Sequence, residues 1–397
     1  MRVSTQAFFQ NNVLTLQRLQ RSLNDLQEQV ATGRQIQRPS DDPVGSARAL
    51  NLRESIDSVE QFQRNAGLAE SRLRLEEETL TGVTELLQRA RELALQAANA
   101  TQTNESRDFV AAELRQGIDQ LLALANTRDS SDDFLFAGYQ TQTQPFTRTS
   151  AGFSYNGDQG QRFVSISRTR QIPDSDSGER VFGRIREGNG QVLTTPAAAN
   201  TGTGTIFNND VAGITGYNFE AYQVTFTAAD AFEVRDGGGV LVSSGAFTPG
   251  DSITFGGLDV RIEGEPATGD VFDVGPSPNT DMFSIIDRLA AALETPVADE
   301  AQRAGQDAAI NRGIEGLDQA LARVLEVRTG VGSRLATIES QVDANAGASL
   351  VLQESLADIE DLDYAAAISA LTQQATTLEA AQQSFLRIQN LSLFRLL

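Results

Sequence analysis

The sequence predicts an α+β protein: a long antiparallel helical coiled-coil rod built from both chain ends, with an all-β outer domain inserted between them. Three observations point there. Proline breaks helix interiors, and the ten prolines leave 1–38, 44–144 and 297–397 free of it. Within those blocks apolar residues recur every seven positions, the coiled-coil repeat. The middle, about 145–280, is rich in Gly, Pro, Thr, Phe and Val and alternates with the period of two expected of strands.

The first block carries Phe9, Leu16, Leu23 and Val30 on one seam, with Asn12, Leu19 and Leu26 on its partner. Gly33 stands where such a helix stops. In the loop RQIQRPSDDPVG, Ser40, Asp41 or Asp42 caps the next helix, with Pro43 in its first turn. That helix is expected from about 45 to 98, roughly 80 Å long at ~1.5 Å per residue. Leu52, Val59, Ala66, Leu73, Leu80, Leu87 and Ala94 form one seam; Phe62, Ala69, Val83, Ala90 and Ala97 form the other, interrupted by Glu76. NATQTNESRD at 99–108 then breaks the pattern before a further helix to about Asn126.

The last block mirrors the first. Leu317, Val324, Val331 and Ile338 define one seam; Ile314, Leu321, Leu335 and Val342 define the other, with Arg328 between. DANAGAS at 343–349 is expected to loosen the chain. A final helix places Tyr364, Leu371, Leu378 and Phe385 on one seam, with Ile368 and Ala375 as the second. In the middle, RFVSISR (162–168) reads as a strand. FEVRDGGGVLVSS (232–244) and DSITFGGLDVRIEG (251–264) read as hairpins.

Composition narrows the function. The formal net charge is −21, which disfavours nucleic acid and anionic membrane surfaces, both of which recruit basic patches. No apolar run reaches the roughly 18 residues of a membrane span, and residues 1–30 lack the pattern of a cleaved signal peptide. Cys, His, Trp and Lys are absent, and all 32 basic residues are Arg. This removes Cys/His metal sites, Ser-His-Asp and Cys-His nucleophiles and Schiff-base lysines. No cofactor, metal or catalytic residue is expected. DSSDD at 129–133 lacks the spacing of a calcium loop and reads as a solvated turn.

The terminal seams have unusual flanks. Residues 1–32 hold five charges and 365–397 hold three, where a solvated coiled coil carries many. Burying charge is costly, so uncharged flanks suit helices whose other faces are also covered. The apolar C-terminus is therefore expected to be an assembly surface paired with the N-terminal helix. The plainer alternatives are an ordinary core helix and a membrane-lying amphipathic helix, the latter disfavoured by the scarcity of basic residues on its polar face.

Several stretches together resemble the flagellin superfamily. They are MRVSTQAFFQ at 1–10, ATGRQIQRPSDDPVGSARAL at 31–50 and the whole of 352–397 from LQESLADIEDLDY to the end. FLFAGYQTQTQPF (134–146), FSYNGDQGQRFVSIS (153–167) and GEPATGDVFDVGPS (264–277) are similar to its hook–filament junction members, as is the PSDDP loop. Residues 188–218 match nothing assignable, and the ending LFRLL departs from the Tyr-containing ending of many members. The resemblance implies a non-enzymatic structural subunit, exported unfolded by the flagellar type III apparatus without a cleaved signal. It implies self-association in a ring that joins an adjacent hook-associated junction protein to flagellin, and an export chaperone on the C-terminal helix.

On this reading the chain divides into an inner-tube helix (1–40), the first half of the rod (41–148), a β-rich outer domain (149–280), the second half of the rod (281–350) and a C-terminal inner-tube helix (351–397). The inner-tube interface comprises Phe9, Leu16, Leu19, Leu23, Leu26, Val30, Ile368, Leu371, Leu378, Phe385 and Ile388. The rod core comprises Leu52, Val59, Leu73, Leu80 and Leu87 against Leu317, Leu321, Val324, Val331, Leu335 and Ile338. The alternatives are flagellin itself and, from a different class, a secreted carboxylate-dependent enzyme housed in the β-domain.

Overall fold

The computed structural model describes residues 5–150, 152–207 and 216–393, with terminal side chains from 9 to 387. The chain divides into two compact units, 1–64 with 340–397, and 65–339. Helix α1 spans Thr5–Thr32, α2 Pro43–Ala97, α3 Asn104–Ala125, α5 Met282–Glu294, α6 Glu300–Glu360 and α7 Tyr364–Leu393. The region between α3 and α5 holds fourteen described strands and one short helix, α4 (Gly178–Phe182). It is thus β-rich rather than purely β.

In the larger unit the heptads of α2 and α6 meet. Leu73, Leu80 and Leu87 are buried, as are Leu317, Val324, Val331 and Ile338, while Leu321 and Leu335 are half-buried. The pairing is antiparallel: Glu77 Oε1 accepts from Arg328 Nη2 at 2.5 Å, and Asp318 Oδ1 from Arg91 Nε at 2.6 Å. Arg328, which breaks the C-terminal seam in sequence, thereby finds its countercharge at the seam's edge. Helix α3 starts inside the segment expected to interrupt: Thr103 accepts from Ser106 N at 3.2 Å as its cap. Arg107 within it is fully buried, and its Nε donates to Ala97 O at the last turn of α2. A cation there complements the helix dipole.

The strands between α3 and α5 form two main antiparallel sheets. One orders β10 (Leu241–Ala246), β9 (Ala231–Asp236), β8 (Tyr222–Ala228), β13 (Val271–Pro276) and β6 (Val192–Pro196). The other orders β11 (Ser252–Phe255), β12 (Leu258–Glu263) and β7 (Thr205–Ile206). Both expected hairpins form. Gly256 and Gly257, at φ +55° and +80°, make the two-residue turn between β11 and β12 that demands positive φ at both positions. Val224, Phe226, Val234, Leu258, Val260 and Phe272 bury together, one strand face from each sheet contributing every second residue. The strand expected over 162–168 shortens to β3 (Phe163–Ser165), paired with β4 (Gln171–Pro173).

Glu76, the charge that interrupts the α2 seam, is fully buried. Its Oε1 accepts from Asp176 N at 3.2 Å. The Asp176 carboxylate, itself buried, takes Gln161 Nε2 at 2.8 Å, Arg180 Nη1 at 3.0 Å and Arg334 Nη2. Alongside, Asp174 accepts from Arg162 Nε at 2.8 Å and faces Arg72, which also pairs with Asp129. Burial, and secondarily the Asp176 carboxylate, push the Glu76 carboxyl up to about 8. In the unfolded chain its ordinary value is 4.5. The folded state therefore keeps a proton that the unfolded chain has lost. The stability this confers is complete below about pH 4.5 and disappears as pH rises through about 8. Urea unfolding from about pH 5 to about pH 9 will show stability falling across that window. Glu76→Gln, which keeps the shape without the charge, will flatten the fall; an unchanged slope in the variant rules Glu76 out as its source.

Candidate functional site: the paired chain ends

In the smaller unit α1 and α7 lie against each other. Phe9 and Phe385 place their ring centroids 4.8 Å apart, and Gln374 Nε2 donates to Ser22 Oγ at 2.9 Å. Gly33 abuts Tyr364: a Cβ there would fall 2.7 Å from the Tyr364 hydroxyl. The partner number falls as the α1 number rises, so the pairing is antiparallel.

The α1 seam is the heptad read from sequence. Leu16, Leu19, Leu23, Leu26 and Val30 line one face, all half-buried, with Asn12 and Ser22 beside them. Phe9 stays 40% exposed despite its ring contact. On α7, Leu371 and Phe385 are half-buried and Leu378 is buried. The second α7 seam differs from the expected one. Ile368 is 51% exposed and Ala375 is exposed, while Ala367, Gln374 and Ala381 take the inner positions. The smaller side chains let α1 approach closely, and Gln374 meets the Ser22 hydroxyl. The Ile368 side chain is thereby turned outward. Ile388, named in the same set, has its side chain outside the described residues.

The turns beside this pair are built from local polar chemistry. Gly33 ends α1 at φ +72°, its N–H donating to Gln29 O at 2.8 Å. Its carbonyl accepts from Leu362 N at 3.0 Å, and Gln35 N donates to Glu360 O at 2.7 Å. Asp42 caps α2, accepting from Val44 N at 3.1 Å and Gly45 N at 3.0 Å. Asp363 caps α7, accepting from Ala365 N at 2.9 Å and Ala366 N at 3.1 Å. The break between the last two helices thus falls at 361–363, not at 343–349. DANAGAS is helical within the 61 residues of α6: alanine is the best helix former, and one interior glycine costs only about 1 kcal/mol. The paired aspartates of DLDY were the signal that sequence reading missed.

Leu52 and Val59, expected in the rod core, fall in this unit and are half-buried; Ala49 and Ile56 are the buried residues of that stretch of α2. Arg53 Nη2 donates to Glu360 Oε2 at 2.6 Å. Chemically the α1–α7 pair offers apolar surface, amides and few charges. Carboxylates elsewhere that drew notice are engaged structurally: Asp129 Oδ1 in DSSDD accepts from Ser131 N and Asp133 N, closing a turn.

Comparison with known proteins matches both ends. The bacterial flagellin N-terminal helical region matches residues 3–141, and the C-terminal helical region matches 314–397. Flagellar hook-associated protein 3 of Escherichia coli is 28% identical over 397 residues, covering 100% of this chain and 99% of that protein. The crystal structure of Xanthomonas campestris FlgL is similar at 34% identity with a TM-score of 0.70, over 77% of this chain and 99% of that one. Hook-associated protein 3 of Legionella pneumophila is similar at 29% identity with a TM-score of 0.74, over 78% of this chain and 98% of that one.

Gly33→Ala combines a left-handed backbone with a methyl group pressed on Tyr364. It is expected to destabilise the α1–α7 pair by about 1 kcal/mol or more, read as faster amide exchange in both helices with residues 65–339 unaffected.

Proposed function

This chain belongs to the hook-associated protein 3 family of flagellin-like subunits, and on that premise we propose that its paired ends build a ring at the junction it forms in the flagellum. The chain is a structural subunit of that junction, and its relatives are structural flagellar proteins. In the proposed assembly one face of the ring meets an adjacent hook-associated junction protein and the other meets flagellin. The terminal helices form an inner tube along the export channel. The chain travels through that channel unfolded, without a cleaved signal, after an export chaperone has covered the C-terminal helix.

The observation that carries this reading is the incomplete cover of the α1–α7 pair. Along α1 no seam side chain is more than half-buried. Ile368 and Leu386, both exposed, lie eighteen residues apart, five full turns at ~3.6 residues per turn. They share one line along α7 with Ala375 and a single exposed charge, Glu379, leaving a second, largely apolar edge uncovered. With so few charges in the flanks, neighbouring copies that cover it need supply a partner only for Glu379. Docked neighbours would add the apolar burial, at roughly 25 cal/mol per Å², that the pair alone lacks.

Quantitative mass spectrometry of purified, intact flagella tests the assignment. A small fixed amount relative to flagellin is expected; an amount that dominates the filament would make the chain a flagellin. Leu23→Asp, placing a charge in the α1 seam, is expected to abolish retention of the chain in flagella at normal expression. Normal motility and retention in that variant would rule out the α1–α7 pair as the inner tube.

A further inference from the structure

A surface cleft of about 390 Å³ is lined by Tyr139, Phe163, Arg180, Arg184 and Arg323, with no carboxylate on its wall. This is notable in a chain with 53 acidic residues against 32 arginines. The arrangement arises because two acids of this segment point inward, while a third, Glu179, is half-buried and pairs with Arg184 at 3.1 Å outside the cleft wall. Asp174 and Asp176 are buried, Asp176 beneath Arg180, while Arg180 and Arg184 face solvent. Arg323 is fixed by donating Nε to Arg180 O at 2.9 Å and Nη1 to Glu326 at 2.7 Å. Arg184 holds φ +53°, a conformation uncommon for a residue with a Cβ. Two aromatic rings stand open beside the guanidinium groups: Tyr139 is 63% exposed and Phe163 56%.

A surface of the opposite character lies on α3. Glu105, Asp108, Phe109 and Ala112 follow the i, i+3, i+4, i+7 spacing that places them on one outward stripe, and all four are exposed. Phe109 is 70% exposed, the largest exposure of any large apolar side chain among the described residues. Among the described residues Glu105 and Asp108 form no ion pair, whereas Glu113 and Asp119 further along pair with Arg89 and Arg148.

We propose that the arginine–aromatic cleft of one copy receives the Glu105–Asp108–Phe109 stripe of α3 from a second copy. This rests on the ring proposed above and names a contact within it. Carboxylates meet guanidinium groups in charge-assisted hydrogen bonds, and the Phe109 ring lies against Tyr139 and Phe163. Each patch repels its own kind, so the contact is head-to-tail, the class that closes rings or winds one turn of a helix. Charge complementarity sets the choice of neighbour and the register.

The absence of cysteine allows a direct test in flagella. A chain carrying both Phe109→Cys and Phe163→Cys, oxidised mildly in purified flagella, is expected to give a ladder of multimers that neither single variant gives. Presence of the double variant in flagella without a ladder overturns the contact. Charge exchange provides an independent measure. Arg184→Glu alone, and Glu105→Arg with Asp108→Arg, are each expected to lower retention in flagella roughly tenfold. The three together are expected to restore it. No loss in either variant, or no restoration, also overturns the contact. If the unmodified chain is itself missing from flagella, the junction assignment fails first and takes the contact with it.

Discussion

Residues far apart in sequence have to meet before either chain end can bury its apolar stripe. Leu80 on α2 and Val324 on α6 are both completely buried. The heptad makes the meeting specific, because a narrow seam of period seven fits only a partner with the same period. Everything between the ends becomes an insertion whose entry and exit lie side by side. The loop-closure entropy of a long insertion grows only slowly with its length, which is how an outer β-domain fits within a helical framework.

Charge placement repeats that logic at smaller scale. Glu76 and Arg328 both break a seam in sequence, and each has a different resolution. Arg328 reaches the seam's edge and pairs with Glu77 across to α2. Glu76 is enclosed, and it is matched by the Asp176 N–H and by a proton. The segment before α4 is held to the helices through Asp174 and Asp176 in this way. Drawing those acids inward leaves arginines on the outer surface of a strongly acidic chain. An internal requirement of the fold thus creates the basic cleft proposed to receive a neighbouring copy.

The paired ends follow the same seam chemistry with a weaker outcome. Seven-residue spacing brings α1 and α7 together, yet the small residues of α7 at 367 and 381 and the Ser22–Gln374 hydrogen bond leave much apolar surface outside. A buried seam holds the larger unit together internally, while a half-open seam leaves the smaller unit with exposed apolar surface. The two behaviours come from similar periodicity; the difference lies in side-chain volume and in how many faces are covered.

Sequence alone determined that the proline-free blocks are helical, where the α1 seam runs, that Gly33 and one of Ser40, Asp41 and Asp42 bound the first loop, and that 232–244 and 251–264 make hairpins. These depend on local rules: proline exclusion, heptad spacing, positive φ at glycine, side-chain caps. Tertiary structure alone decided that α6 runs unbroken through DANAGAS to Glu360, that Ala367 and Gln374 rather than Ile368 face α1, that Leu52 and Val59 are only half-buried, and that Glu76 meets Asp176. It also brought Arg184 and Arg323 to one cleft wall. None of these follows from a residue and its neighbours in sequence. Each depends on how closely two elements approach and on which group is already there, and those quantities exist only once the chain has packed.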